Sequence, residues 1–95
     1  MRIKQDQKLF FRKTINAVLP DADIFLFGSR ANDQLKGGDI DILVISKDKL
    51  SFQQIRNLKI AFYKQFGQQQ IDIVTLKRDK PSTFRELALL DAVKL

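Results

Sequence analysis

The sequence predicts a small α/β (α+β) fold, in which helices pack on one face of a short mixed β-sheet. Three short apolar runs, rich in the Ile, Val, Leu and Phe that favour strands, are bounded by polar and turn-forming residues. Three other segments carry apolar residues at helical spacing, and they precede, separate and follow those runs. With 95 residues and no internal repeat or linker, the chain is expected to form a single domain over residues 1–95.

The first half of the chain is predicted to contain one helix and two strands. An amphipathic helix over 3–19 ends at Pro20, because the residue before a proline disfavours the helical conformation. The apolar run 24–27 is predicted to be a strand buried on both faces, followed by a polar loop over 29–38. A second strand is predicted over 39–46, so the loop joins two core strands.

The middle helix carries its own start and stop signals. Ser51 and Gln54 match the capping box, in which each side chain accepts a hydrogen bond from the other residue's backbone N–H. Apolar residues at helical spacing continue to Phe66, and Gly67 is predicted to end the helix, since glycine adopts left-handed backbone angles without strain. Tyr63 lies on this helix and is interpreted as a rim residue of the core.

The last part of the chain is predicted to contain one strand and one helix. The strand covers 71–76 and places Asp72 on the face opposite to its two isoleucines. Thr83, with Glu86 three residues later, is predicted to cap a last helix that extends toward Val93. The predicted order of elements is therefore helix, strand, strand, helix, strand, helix.

Composition narrows the chemistry that this chain can perform. Cysteine and histidine are absent, which excludes disulfides, thiolate metal sites and histidine general bases. Catalysis would have to use carboxylates, hydroxyls, lysines, arginines and a metal ion. No apolar run approaches the ~20 residues that span a bilayer and no secretion signal is recognised, so we expect a cytoplasmic protein without membrane association.

The net charge of +6 favours polyanionic partners. Lys and Arg are scattered rather than clustered, so we do not expect dedicated nucleic-acid binding, and a nucleotide or an acidic partner remains. Arg30 and Lys36 lie in the polar loop, where a solvated surface and contact with a triphosphate are both open interpretations.

A glycine-serine turn and a pair of aspartates flank the polar loop. Asp39 and Asp41 are two residues apart in a predicted strand, so their side chains share one face. Two neighbouring carboxylates repel each other unless a proton or a cation lies between them, and carboxylate oxygens suit Mg²⁺. The Gly28-Ser29 turn can present backbone N–H groups to an anion. A phosphate site beside a metal site indicates phosphoryl or nucleotidyl transfer.

Asp72 is a third carboxylate in an apolar strand, where both propensity and burial disfavour aspartate. If its strand is a neighbour of the strand over 39–46, three carboxylates converge at one edge of the sheet. Such a cluster suits two Mg²⁺ ions in an in-line displacement at phosphorus. Asp39 and Asp41 would then hold the metals, and Asp72 would bind the second ion and help to activate the attacking hydroxyl.

Each of these features also has a purely structural interpretation. Gly28 and Ser29 could form an ordinary sharp turn, Asp39 could cap a turn, and Asp41 and Asp72 could lie on solvent-exposed strand faces. The combination, however, resembles the DNA polymerase β-type nucleotidyltransferase superfamily: Gly-Ser, nine residues, Asp-Ile-Asp, and a later strand aspartate. The short length and the sequence around the Gly-Ser turn resemble its minimal nucleotidyltransferase (MNT) branch, and the likeness spans residues 22–76.

This resemblance implies a polymerase β-like core that moves a nucleoside monophosphate from ATP or another nucleoside triphosphate to a hydroxyl, using two Mg²⁺ ions. By the same resemblance, Asp39, Asp41 and Asp72 would be the catalytic metal ligands. The nucleotide-binding residues would be Gly28, Ser29 and Arg30. Members of the branch commonly have serine directly before the first aspartate, where this chain has Gly38, and their loop is usually longer.

The resemblance also implies a partner. Minimal members are often encoded with a helical HEPN-type RNase toxin, and some act as antitoxins by adding AMP to a tyrosine of that toxin. We therefore expect a HEPN-type partner and a homo- or hetero-oligomer. Two other functions stay open at this point: a module that neutralises the RNase by covering it, and transfer to RNA or to a small molecule.

Overall fold

The computed structural model describes residues 3–31 and 38–95, and these residues form three α-helices, one 3₁₀ turn and a four-stranded sheet. The elements in chain order are α1 (Gln5–Val18), β1 (Asp23–Phe27), the 3₁₀ turn (Gly28–Ala31), β2 (Ile40–Ser46), α2 (Phe52–Phe66), β3 (Ile71–Lys77), α3 (Thr83–Asp91) and β4 (Val93–Lys94). The predicted α/β class is confirmed, and every predicted helix and strand is present.

The sheet is mixed and has the strand order β3-β2-β1-β4. β1 runs antiparallel to β2 and to β4, whereas β2 and β3 are parallel. β2 is a central strand, and six of its seven residues are buried; Asp41 is half-buried. The parallel pairing requires a crossover connection, which α2 provides. It also brings the beginnings of β2 and β3 to the same end of the sheet.

Helices α1 and α2 cover one face of this sheet. Phe11 and Ile15 from α1 and Phe62 from α2 are completely buried there. The rings of Phe11 and Phe62 stack at a centroid distance of 5.4 Å. Aromatic packing of this kind joins the two helices and fixes them over the strands.

The capping signals of α2 are confirmed. Ser51 Oγ accepts a hydrogen bond from Gln54 N at 3.1 Å, and Gln54 Oε1 accepts one from Ser51 N at 2.8 Å. Gly67 follows the helix with a φ of +91°, in the left-handed region that favours glycine. These local interactions explain why the helix limits could be read from the sequence.

The prediction that helices pack on one face holds for α1 and α2 but not for α3. The Phe84 ring of α3 meets the Phe27 ring at 6.0 Å in an edge-to-face arrangement. Phe27 alternates with the buried Leu26 along β1, so its side chain lies on the opposite face of the sheet. The amphipathic pattern of α3 indicated a helix, but not which face of the sheet it would cover.

The ends of α3 also differ from the prediction. Ser82 rather than Thr83 is the N-cap, because Ser82 Oγ accepts the hydrogen bond from Arg85 N at 3.0 Å. The helix ends at Asp91, and the following residues form β4, where Val93 pairs with Leu26 of β1. A two-residue strand has no periodicity that sequence reasoning can detect, since its existence depends on the free edge of β1.

An ion-pair network joins the strands at the end of the sheet remote from Asp39, Asp41 and Asp72. Arg78 Nη1 lies 2.7 Å from Asp23 Oδ2, and Arg78 Nη2 donates hydrogen bonds to the carbonyls of Asp21 and Ile45. Hydrogen bonds from Arg78 and Lys94 lower the pKa of Asp23. Arg78 thus connects the end of β3 to the beginning of β1 and the end of β2.

Candidate active site

Gly28 directly follows β1 and has a φ of +71°, a conformation that glycine adopts easily. It also lies against the carboxylate of Asp41: a Cβ built on Gly28 would overlap Asp41 Oδ2 and lie 3.3 Å from Asp41 Cγ. Glycine is therefore required here for its backbone angles and for the close approach of the carboxylate. The predicted phosphate turn and the predicted metal ligand are direct neighbours.

Asp41 and Asp72 are paired residues across the parallel strands β2 and β3. Residues paired in this way project from the same face of the sheet, so the two carboxylates stand beside each other. Asp39 is exposed and directly precedes Ile40, the buried first residue of β2. The convergence that the sequence predicted for Asp72 depends on this register, which the structure supplies.

The pKa of Asp41 is raised, and Asp72 and Asp39 are both among the causes. Burial is the largest cause, followed by the negative charges of Asp72 and Asp39, with a hydrogen bond to Asp72 as a further contribution. A nearby proton or cation therefore stabilises Asp41. Hard oxygen donors that repel one another in this way are suitable ligands for Mg²⁺.

The donor set fits a magnesium site by its chemistry. Within residues 3–31 and 38–95, no three acidic, histidine or cysteine side chains stand in a finished metal-ligating arrangement. The pairing of Asp41 with Asp72 and the effect of Asp39 on the pKa of Asp41 are what relate the three carboxylates. Mg²⁺ needs only one or two protein carboxylates when substrate phosphates and waters complete its coordination.

Arg30 contacts the chain on the far side of the loop. Its Nη2 atom donates hydrogen bonds to the carbonyl of Gly38 at 2.9 Å and to Gln69 Oε1 at 3.4 Å. Gln69 Nε2 also donates to the Gly38 carbonyl. The bonds from Arg30 and Gln69 hold Gly38, the residue immediately before Asp39. On the other side of Asp39, Ile40 N donates a hydrogen bond to Gln70 O at 2.9 Å.

Gln69 and Gln70 were not singled out from the sequence, where they belong to a short glutamine run before β3. Gln70 Nε2 donates a hydrogen bond to Asp72 Oδ1 at 3.4 Å, so both glutamines contact residues of the predicted site or its support. Only the pairing of β2 with β3 brings this run beside Gly38. The sequence carried no signal that could have identified them.

The remaining predicted residues are placed as follows. Ser29 belongs to the 3₁₀ turn Gly28–Ala31, immediately after the close contact of Gly28 with Asp41. Lys36 and most of the predicted loop lie outside the described residues. Tyr63 is 37% exposed near the end of α2. It borders a cavity of about 370 Å³ together with Gln68, Gln69 and Gln70.

The geometry therefore combines a glycine turn, a coupled set of carboxylates and a polar cavity at one end of the sheet. Backbone N–H groups of a glycine turn bind anions, and carboxylates bind divalent cations. A nucleoside triphosphate with its metal ions supplies both the anionic oxygens that such a turn binds and the divalent cations that such carboxylates bind. Within the described residues, no helix is long and apolar enough to cross a membrane.

Comparison with solved structures identifies the same architecture. An MntA–HpeT toxin–antitoxin mutant matches with a TM-score of 0.64 and 22% identity, covering 97% of this chain and 71% of that one. A crystal structure from Shewanella oneidensis matches with a TM-score of 0.66 and 18% identity, covering 98% and 71%. A complex of tri-AMPylated Shewanella oneidensis HEPN toxin with MNT antitoxin matches with a TM-score of 0.60 and 22% identity, covering 93% and 70%.

At these identities, the structural likenesses establish the fold. No curated protein sequence gives a significant match to the chain. The family model described as polymerase beta, nucleotidyltransferase, matches residues 11–95, which include the glycine turn and all three aspartates. The chain therefore belongs to the polymerase beta nucleotidyltransferase family.

Proposed function

We propose that this protein is a Mg²⁺-dependent protein adenylyltransferase. It moves AMP from ATP to a tyrosine hydroxyl of a HEPN-type partner and thereby acts as the antitoxin of that partner. The observation that carries the proposal is the group of coupled carboxylates around Asp41, placed directly against the Gly28 turn. Family membership supports nucleotidyl transfer, and the similar complex that holds a tri-AMPylated HEPN toxin supports AMP and the kind of acceptor.

In this proposal, the backbone of Gly28 and Ser29 binds the oxygens of the triphosphate. Asp39, Asp41 and Asp72 would hold two Mg²⁺ ions, which would supply positive charge to the phosphates. Arg30 holds the base of the loop through Gly38, and its positive charge favours phosphate groups at the turn. The raised pKa of Asp41 supports this assignment, because burial and the charges of Asp72 and Asp39 all disfavour its bare carboxylate, and a bound cation offsets them.

The reaction is an in-line displacement at the α-phosphorus of ATP. The tyrosine oxygen forms a bond to this phosphorus, and the bond between the phosphorus and the oxygen bridging to the β-phosphate breaks. Pyrophosphate leaves with the electron pair of that bond. Asp72, on the outer strand β3, accepts the hydroxyl proton, and the products are AMP-tyrosine and pyrophosphate.

A second candidate function is a binding module that neutralises the RNase by covering it. Helix α3 supports this alternative, because Phe84, Leu87 and Leu90 are 46%, 62% and 77% exposed. Exposed apolar side chains on one short helix favour association with another protein. In this function, the nucleotide site would be vestigial or regulatory.

The test is transfer of label from α-³²P-ATP in the presence of Mg²⁺, with and without the protein encoded beside this one. Wild-type protein is expected to label the partner, and Asp39→Asn or Asp41→Asn to abolish the label. Asp48→Asn is the matched control, because Asp48 is an exposed aspartate beyond the far end of β2. Undiminished transfer by both site variants would contradict the assigned site. Tight binding of the partner without any label would favour the covering function.

A further inference from the structure

We infer that the cavity bordered by Tyr63, Gln68, Gln69 and Gln70, hereafter the glutamine pocket, receives the acceptor peptide segment that carries the reacting hydroxyl. The inference rests on the proposed function and extends it, since it assigns a docking place to the acceptor.

The pocket lies at the end of the sheet where the aspartates lie. Gln70 Nε2 donates a hydrogen bond to Asp72 Oδ1, and Gln69 contacts the Gly38 carbonyl next to Asp39. Two of the described lining residues therefore touch the proposed metal site or its immediate support. The pocket therefore borders residues that contact Asp72 and the residue before Asp39.

The order of the strands gives the direction from which the acceptor approaches. The glycine turn follows β1, Asp41 lies on the central strand β2, and Asp72 lies on β3 at the outer edge. An in-line displacement places the attacking and leaving oxygens on opposite sides of the phosphorus. With the leaving pyrophosphate toward the turn after β1, the attacking hydroxyl must approach from the β3 side. The glutamine pocket is on that side, because its glutamines directly precede β3.

The lining chemistry matches a peptide better than a phosphate. Among the described lining residues, Gln68 carries a carboxamide that can donate and accept hydrogen bonds as a peptide bond does, Gln70 Oε1 can accept one, and none carries a charge. Tyr63 adds an aromatic ring that is 37% exposed and can pack against an aromatic acceptor side chain. A volume of about 370 Å³ lies near the lower end of the range for ligand pockets, which suits one side chain with its neighbouring peptide groups.

The experiment measures initial rates of AMP transfer while the concentrations of the partner protein and of ATP are varied separately. Tyr63→Ala and Gln68→Ala are expected to raise the KM for the partner by roughly five- to tenfold, the loss typical of one or two hydrogen bonds and a ring contact. The KM for ATP should stay within about twofold of the wild-type value. Gln65→Ala is the matched control, because Gln65 is an exposed α2 residue that does not line the pocket.

An unchanged KM for the partner in both pocket variants would overturn the inference. A rise in the KM for ATP alone would also overturn it, since the pocket would then hold the nucleoside. Thermal unfolding of each variant controls for misfolding, and Tyr63→Phe tests the phenol group without removing the ring.

A binding measurement separates failure of this inference from failure of the proposed function. The dissociation constant of the partner complex is measured in the Asp39→Asn background, with and without Tyr63→Ala and Gln68→Ala. Weaker binding by the pocket variants supports the docking site even if wild-type protein transfers no label. Unchanged affinity in that case would overturn the docking site together with the proposed transfer.

Discussion

Asp41 and Asp72 stand directly opposite each other on the parallel strands β2 and β3, and their side chains project from the same face of the sheet. Burial of Asp41 and the charge of Asp72 together raise the pKa of Asp41. The fold thus keeps like charges close together at a point where the bare carboxylates destabilise it. This repulsion is reversed by a cation, so stability and metal binding become linked.

Asp41→Asn is expected to stabilise the metal-free protein near neutral pH. The amide has the shape of the carboxylate but no charge, so the repulsion from Asp72 and Asp39 disappears. We expect a rise of about 2–4 °C in the unfolding midpoint, corresponding to roughly half a kcal/mol for a domain of this size. Thermal unfolding in the presence of a chelator measures it, with Asp48→Asn as the control. A midpoint lower than that of wild type would contradict the prediction.

Mg²⁺ is expected to raise the unfolding midpoint of the wild-type protein. A cation that binds the folded state stabilises it by mass action, by about 2.7 kcal/mol when its concentration is a hundred times the dissociation constant. Asp41→Asn should lose most of this effect, while Asp48→Asn should keep it. Titration with Mg²⁺ or Mn²⁺, followed by thermal unfolding, provides the measurement. Equal stabilisation of all three proteins would argue against binding at Asp41.

Gly28→Ala is expected to destabilise the protein by about 2 kcal/mol or more and to abolish nucleotidyl transfer. The alanine would have to keep the positive φ of Gly28, and its methyl group would overlap the Asp41 carboxylate. Gly67→Ala separates the two causes, because Gly67 also has positive φ but nothing lies within 4 Å of its added Cβ. Denaturant unfolding should show a smaller loss, about 1 kcal/mol, at Gly67. Equal losses at both positions would assign the whole effect to backbone strain.

Gln69→Ala is expected to weaken metal binding without unfolding the protein. The variant releases one of the two side chains that hold the Gly38 carbonyl, and Asp39 directly follows Gly38. We expect the apparent dissociation constant for Mn²⁺, measured by electron paramagnetic resonance, to rise roughly tenfold. Gln65→Ala serves as the control. An unchanged affinity for Mn²⁺ would show that the contact with Gln69 is not needed to hold Gly38.

Arg78→Met is expected to make the stability of the protein less dependent on pH in the acidic range. The hydrogen bond from Arg78 is the largest cause of the lowered pKa of Asp23. Because this pKa is lower in the folded state, the unfolded state binds more protons than the folded state as the pH falls. The stabilisation is complete above the ordinary aspartate pKa of 3.8 and is lost as the pH falls through the lower folded-state pKa. Arg78→Met should cost about 1 kcal/mol near pH 7 and less in strong acid.

Urea unfolding of wild type and Arg78→Met at several pH values measures this difference. Asp41 acts with the opposite sign: its raised pKa contributes stability below 3.8, and this contribution is lost as the pH rises through the folded-state pKa. Asp41→Asn in both backgrounds removes that opposing contribution. A gap between wild type and Arg78→Met that is independent of pH would contradict the role of the ion pair.

Much of the fold and of the candidate site was predictable because the relevant signals are local. The capping box of Ser51 and Gln54, the glycine after α2 and the alternation around Asp72 each depend on residues close together in the chain. These interactions form in the same way wherever the segment is placed. The limits of the first three strands were therefore correct to within about one residue.

Other features could not be predicted because they depend on which segments become neighbours. Leu26 can accept Val93 as a strand partner only because the edge of β1 is open, and Phe84 packs against Phe27 only because α3 crosses to the other face. The contact of Gln69 with Gly38 joins residues 31 positions apart. Residue types alone carry no information about such distant contacts.

The sequence by itself determined the order of the three helices and the first three strands, the caps of α2 and the identity of the three aspartates, because periodicity, propensity and charge act over a few residues. Only the tertiary structure decided that Asp41 faces Asp72, that Gly28 leaves room for the Asp41 carboxylate, and that the glutamines before β3 border the site. The physical reason is that strand register and close approach are set by packing of the whole core. A shift of one residue would turn Asp72 to the opposite face and disperse the site.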